Sequence, residues 1–341
     1  MIYAAFRRRA SLAALLATLA LPAAAQAPAV VADTPVAHSL AAMVMGDLGA
    51  PVLLLDRGAD PHNFALRPSQ ARAVADAGLA VWIGAAMTPW MGRAVAGLAP
   101  AAQLELLEVE GLDLQPFAEQ TLFAEDDGHG HSHGHSHGHS HGHSHGHSHG
   151  HSHGHSHGHS HSHDDDHGDI DPHAWLDPAV ARLWLTAIAD RLGQIDPANA
   201  ATYAANSAAG HAAIDAAEAE VRRLLAPVGA AGIVVHHDAY GYFARAFGVN
   251  VLGSVALGDA APPGARRLAA LRAALDGTSA VCIFPEVNHS AAHAPLIAEG
   301  TGLRIGAPLD PEGVMLDPGA TLYPALLTGL AQAIADCVAG G

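Results

Sequence analysis

The chain contains no lysine: all 16 basic residues are arginine, set against 33 acidic ones for a formal charge of −17. The missing lysine is read as coding bias and carries no functional weight. Aromatics are scarce and nowhere interleaved with a basic face, which excludes a nucleic-acid binder. Cysteine is nearly absent, with only Cys282 and Cys337. No Cys follows Ala23-Ala24-Ala25, which removes the usual route to a lipid anchor. Beyond the N-terminal region no segment reads as long and apolar enough to cross a membrane. A His-Glu-x-x-His run, the helical signature of a zinc hydrolase, is also missing.

What remains is an ordinary α/β composition with two unusual segments. The 341 residues are half hydrophobic, enough for two lobes with buried cores, since single cores stop growing near about 250–300 residues. Arg7, Arg8 and Arg9 precede an apolar run from Ala10 to Leu21 and a small-residue cleavage site. Roughly 12 apolar residues are too few for a span of about 20, so residues 1–25 read as a signal peptide cleaved near Ala25. The expected location is the periplasm, without a membrane anchor. In that oxidising compartment an even cysteine pair reads as a disulfide, the alternative being two separately buried thiols. A bridge would close a loop of roughly 56 residues and contribute about 4 kcal/mol.

The second unusual segment carries most of the 27 histidines. His129, His131, His133, His135, His137, His139, His141, His143, His145, His147, His149, His151, His153, His155, His157, His159, His161 and His163 alternate with Gly or Ser. Glu125-Asp126-Asp127 and Asp164-Asp165-Asp166 flank them. A tract without apolar residues cannot offset the entropy of its own ordering, so disorder is expected over 125–169. Imidazole is a favoured ligand of zinc, copper and nickel, which makes the tract an accessory metal binder. The bland alternative is a solubilising linker.

Outside the insert the pattern alternates strand and helix twice over, which implies two parallel-sheet α/β lobes. In the first half strands are expected at Val30-Val31, Val52–Leu55, Leu79–Ile83 and Leu104–Val109, with helices at Pro35–Gly49 and Pro68–Ala77. In the second, strands are expected at Ile233–His237, Val249–Ser254, Val281–Phe284 and Leu303–Gly306. Helices are expected there at Ala239–Phe247, Pro263–Leu275 and Asn288–Glu299. Between the halves, Asp177-Pro178 and Asp196-Pro197 each supply an N-cap and a first-turn proline. The second helix, running to Leu225, would extend roughly 43 Å as a stiff strut. The expected division is therefore 26–177, 178–227 and 228–341: lobe, helical bridge, lobe.

Three histidines stand out by position. His62 sits in Asp60-Pro61-His62, shortly after a strand; His173 sits in Asp171-Pro172-His173, just before the bridge; His237 closes a strand. Ligands of open α/β sheets bind beyond the carboxyl ends of strands, which suits His62 and His237. His236 should face away from His237, because successive strand side chains point oppositely. His38, His211, His289 and His293 have no such context and default to structural or surface roles.

At these residues the chain resembles the ZnuA family, the periplasmic zinc-binding components of high-affinity ABC-type zinc importers. The segments that carry the resemblance are Leu53 to His62 with Leu66-Arg67-Pro68-Ser69, Asp171 to Pro178 and His237 to Phe243. Pro263 to Leu268, Leu309 to Gly313 and the cysteine pair extend it. The resemblance implies a C-clamp of two lobes joined by a long rigid helix, with metal in the interlobe cleft and a Cys282–Cys337 disulfide. It implies His62, His173 and His237 as ligands, with Asp310 or a water in fourth place. Pro61 stands where some relatives have a liganding Glu, and Phe284-Pro285-Glu286-Val287 departs from the family's Phe-Ala-Glu-Pro. The implied cargo is Zn²⁺, the implied partner an inner-membrane ABC zinc permease, and the chain a monomer and not an enzyme. Manganese-binding relatives carry a carboxylate in place of His237, and nitrogen-rich sites favour zinc. Other readings are a binder of manganese or another divalent metal in the same transporter class, a His-rich metal buffer, and a zinc hydrolase.

Overall fold

The computed structural model describes residues 27–117, 170–256 and 264–340. The signal segment 1–25, the whole of the His-rich insert 125–169 with its 18 alternating histidines, and Pro263 lie outside them.

Two four-stranded sheets, parallel throughout, form the lobes. The first contains β1 (Val30–Ala32), β2 (Val52–Leu53), β3 (Leu79–Trp82) and β4 (Gln103–Glu105), in the order β2-β1-β3-β4. The second contains β5 (Gly232–Val235), β6 (Asn250–Ser254), β7 (Ala280–Ile283) and β8 (Arg304–Ile305), in the equivalent order β6-β5-β7-β8. Central strands such as Leu-Ala-Val-Trp and Gly-Ile-Val-Val are apolar at every position because both faces are covered. Val30 and Ala32 face the central core while Val31 faces the outer one, the period-two alternation of a strand.

The helices are α1 (Pro35–Met45), α2 (Pro68–Ala75), α3 (Pro89–Val95), α4 (Pro178–Ile195), α5 (Ala200–Leu225), α6 (Gly241–Phe247), α7 (Ala265–Ala274), α8 (His293–Ala298) and α9 (Leu322–Ala339). Capping chemistry starts the central ones: Thr34 Oγ1 accepts from Ala37 N and Asp177 Oδ1 from Ala179 N, each before a first-turn proline. Helix α1 stops at Gly46, whose φ of +50° suits glycine and whose missing Cβ leaves room for Asn206 on α5. Gly210 lets α5 approach Leu185 of α4, where an added Cβ would stand 2.7 Å from Leu185 Cδ2.

The bridge is not a solitary strut. Along α5 the buried residues Tyr203, Ser207, Gly210, Ile214, Ala217, Val221 and Leu225 recur every three or four positions and make one stripe. That stripe packs on α1, α4 and α9. One core continues from β1 and β3 of the first lobe, through α1, α4, α5 and α9, to Ile233, Val235 and Phe284 of the second. Smaller cores cover the outer faces, with Val74, Trp90 and Met91 on one lobe and Leu271, Ile283 and Ile297 on the other.

Several sequence expectations shift. Neither α3 nor α9 was anticipated. Helix α9 is long and apolar enough to meet the length and composition test for a membrane span, contrary to the reading that no such segment follows the N-terminus. Its Leu326, Leu327, Leu330 and Ile334 are instead buried in the central core. Cys337 on α9 is bonded to Cys282 on β7, the disulfide the cysteine pair suggested. The expected helix Asn288–Glu299 forms only over His293–Ala298, because the chain before it bends through Glu286 and Asn288 to reach the cleft. Helix α5 begins at Ala200 instead of just after Asp196, whose carboxylate is taken by Asn199 and Tyr203.

Candidate metal centre

The site assembles from segments that follow strand ends. The loop after β2 brings His62, the segment before α4 brings His173, and β5 runs directly into His237. The loop beyond β8 brings Glu312. These four place donor atoms within 4.8 Å of one another. His173 is fully enclosed, and His237 and Glu312 are 2% and 3% exposed.

The local turns come from a repeated dipeptide. In Asp60-Pro61-His62, Asp60 Oδ1 accepts from His62 N at 2.9 Å; in Asp171-Pro172-His173, Asp171 Oδ1 accepts from His173 N at 3.0 Å. Each aspartate folds the chain over its proline and presents the next imidazole, an Asx turn. Trp90 Nε1 donates to Pro61 O at 2.6 Å and pins the His62 turn from behind, while Trp175 Nε1 donates to Pro311 O at 2.8 Å and ties down the loop that carries Glu312.

Two imidazoles are oriented by carboxylates. His173 Nδ1 lies 2.8 Å from Asp171 Oδ1, and His237 Nδ1 lies 2.6 Å from Glu286 Oε2. Tyr240 donates its hydroxyl to Glu286 Oε1 at 3.0 Å. With Nδ1–H donating backward, each Nε2 lone pair points forward. The two Nε2 atoms stand 3.4 Å apart. Nitrogens at about 2.0–2.1 Å from a tetrahedral ion are separated by about 3.3–3.4 Å. The spacing therefore fits two ligands of one tetrahedral ion. His62 Nε2 lies 3.9 Å from Glu312 Oε1, and its ring centroid is 5.5 Å from that of His173.

Electrostatics favour a bound cation. Burial, then the neighbouring His173 and His237, pushes the His62 imidazole well below its ordinary range, so it is neutral at pH 7. Burial pushes the Glu312 carboxyl up to about 8, with His237 pulling down and Glu286, Asp60 and Asp310 pushing further up. Burial also raises Asp171 to about 7, opposed by the His173 backbone N–H and by His237. Glu286 is different: burial would raise it, but the His237 ring together with His236 and His289 outweighs that and leaves it below the usual carboxylate range. Neutral imidazoles and a proton-holding carboxyl gathered out of water form a set that a divalent ion would complete.

Asp310 is not one of the four gathered residues. Its carboxylate accepts from Val314 N at 2.9 Å and from Met315 N at 2.8 Å, so it builds the loop that delivers Glu312 two residues on. Glu312 is in turn held by Asn288 Nδ2 at 2.9 Å from Oε2. The signal for it was present in the sequence: Asp310-Pro311-Glu312 is a third Asp-Pro dipeptide followed by a donor. His38 and His211 are occupied elsewhere, by Pro51 O and Thr186 Oγ1. His236 is not one of the four and stacks on His289.

Comparison with known proteins gives the chain its family. The family profile ZnuA, described as zinc-uptake complex component A periplasmic, matches residues 30–337. The high-affinity zinc uptake system protein ZnuA of Paracoccus denitrificans is 52% identical over 327 residues, covering 96% of this chain and 97% of that one. Its namesake in Brucella abortus is 38% identical over 302 residues, covering 88% and 89%. Among solved structures, the periplasmic zinc-binding protein TroA from Treponema pallidum superposes with a TM-score of 0.69 at 20% identity, covering 92% of this chain and 99% of that one. The shared lobe plan is a likeness of fold, while the sequence matches extend through all three histidine segments and both cysteines; on that span and identity, this chain belongs to the ZnuA family.

Proposed function

We propose that this chain captures Zn²⁺ in the periplasm and delivers it to an ABC-type zinc importer of the inner membrane, as a solute-binding protein without catalytic activity. The observation that carries the reading is the pair of Nε2 atoms of His173 and His237, 3.4 Å apart and each backed by a carboxylate. His62, His173 and His237 supply three nitrogens and Glu312 the fourth donor, in place of Asp310. Three imidazoles and one carboxylate suit zinc, whereas manganese takes oxygen-rich sites. Glu312 fills the position that a zinc hydrolase would leave open for water, which counts against the catalytic alternative. The chain works as a free monomer after cleavage near Ala25, with lobes 26–177 and 228–341 joined by 178–227. The alternating histidines from His129 to His163 serve as an accessory collector.

The test exchanges one donor. His237→Glu replaces imidazole by a hard oxygen and is expected to weaken zinc while shifting relative preference toward manganese. Chelator competition on the mature protein reads both ions. Unchanged zinc affinity in that variant removes His237 from the site and with it the reading.

A further inference from the structure

Three histidines that the cleft does not use lie together on the second lobe. His236 follows β5, His289 sits in the bend before α8, and His293 opens α8. The His236 and His289 rings are 4.6 Å apart and 23° from parallel; those of His236 and His293 are 6.2 Å apart and 17° from parallel. His236 is buried, the other two half-buried, so the file runs from the interior toward solvent. His293 Nδ1 is enclosed and has no hydrogen-bond partner among the described residues.

Simple packing does not account for this file. Stacked hydrocarbon rings would fill the same space without burying polar nitrogens that need partners. Nor is it an ion-pair network: among the described residues the one ion-pair partner of these rings is Glu286, whose Oε2 is 3.8 Å from His289 Nε2 and already engages His237 Nδ1 at 2.6 Å, while Asp60 acts on His289 only through its charge. Imidazoles gathered in excess of their acids are a donor set for a borderline divalent cation.

We propose that His236, His289 and His293 form a second divalent-metal site, weaker than the cleft, that holds an ion of the zinc class at the solvent-facing edge of the second lobe. The rings stack and do not yet converge, so binding turns His289 and His293 about their side-chain torsions. His289 is carried by a non-helical bend and its side chain is 26% exposed, which leaves it free to turn. The cost of that turning makes the site weaker than a preformed one. Its position next to His237, with ring centroids 5.7 Å apart for His289 and His237, makes it a staging post beside the cleft. The site's existence is independent of the cleft's role; only the identity of its ion rests on the function proposed above.

Crystals of the mature full chain, grown at increasing zinc and measured at the zinc absorption edge, test this. Anomalous maps are expected to show a peak among His62, His173, His237 and Glu312 first, then a second among His236, His289 and His293. The paired variant His289→Phe with His293→Phe keeps stacked rings and removes their nitrogens. It is expected to lose the second peak and keep the first, which also reports that the variant is folded. A wild-type map at saturating zinc without the second peak, or a second peak surviving in the variant, overturns the proposal. Absence of the cleft peak would instead overturn the proposed function and leave the second site readable on its own.

Discussion

His173 and His237 come from opposite sides of the interlobe cleft, yet their Nε2 atoms face each other at 3.4 Å. Each ring is backed at Nδ1 by an acid, Asp171 for one and Glu286 for the other. The two facing nitrogens are thus oriented through the opposite side of each ring.

Removing one of those aiming groups has a defined cost. Glu286→Gln keeps the shape and removes the charge behind His237. Zinc affinity is expected to fall by about 10–100-fold, the usual effect of losing a carboxylate behind a liganding imidazole. Competition against a chelator of known affinity measures it, and an affinity equal to the parent's would show that Glu286 only fills space.

Glu312 and Asp310 are separable by paired substitutions. Glu312→Gln is expected to weaken the tight zinc while leaving urea stability near the parent's. Asp310→Asn should do the reverse, because it removes an acceptor for the Val314 and Met315 amides at a cost of about 1–3 kcal/mol. Swapped results, with zinc lost in the Asp310 variant and kept in the Glu312 variant, would return Asp310 to the site.

Deleting residues 125–169 tests the division of labour between tract and cleft. Pro116 and Ile170 pair as an antiparallel bridge, so described residues on the two sides of the insert stand side by side. The alternating tract has no apolar side chain whose burial could be lost, so the melting temperature is expected to stay nearly unchanged. One tight zinc should remain and several weaker equivalents should vanish from the titration. Loss of the tight equivalent would mean that the tract supplies a ligand to the cleft.

A buried acid outside the four gathered residues predicts a pH dependence of stability. Asp33 is 0% exposed and accepts from Thr34 N, Ile83 N and Thr88 Oγ1, but burial dominates and pushes its carboxyl from 3.8 up to about 6. The folded state thus holds this proton more tightly than the unfolded chain. The resulting stability is present below about pH 4 and is lost as pH rises to about 6, amounting to about 3 kcal/mol. Asp33→Asn cannot titrate, so its deficit relative to the parent should shrink by about that amount between pH 4 and 6. Urea unfolding of the metal-free proteins across that window gives the comparison. A constant gap would show that Asp33 does not exchange its proton there.

Much of this architecture could be read from residue patterns alone. Apolar strands covered on both faces and Asp-Pro helix starts disclosed the lobes and α4. Asp-Pro-His, occurring twice, disclosed two of the turns that build the site. Helix α9 escaped because it is apolar on several sides and its start lacks a side-chain cap, Thr321 making none. Glu312's place in the cluster was hidden because the same Asp-Pro signal precedes it, but Asp310 offers a carboxylate first. Only the fold reveals that Asp310 is committed to backbone amides. The acids behind the imidazoles were partly visible. Asp171 lies two residues from its histidine, whereas Glu286 lies 49 residues from His237 and becomes its neighbour only because β5 and β7 are adjacent.

The core shared by α1, α4, α5 and α9 bears on how long an ion stays. Swinging one lobe away from the other would open that core to water, and cross-links such as Gly58 N to Val314 O at 3.0 Å and Arg57 to Asp317 at 2.8 Å span the cleft mouth as well. Such an opening exposes buried apolar surface and is correspondingly infrequent. With the ligands proposed above, escape of the ion depends on small rearrangements of the loops carrying His62 and Glu312, not on gross hinging. Dwell time becomes a property of those loops, and a receptor that grips them can shorten it without unfolding anything else.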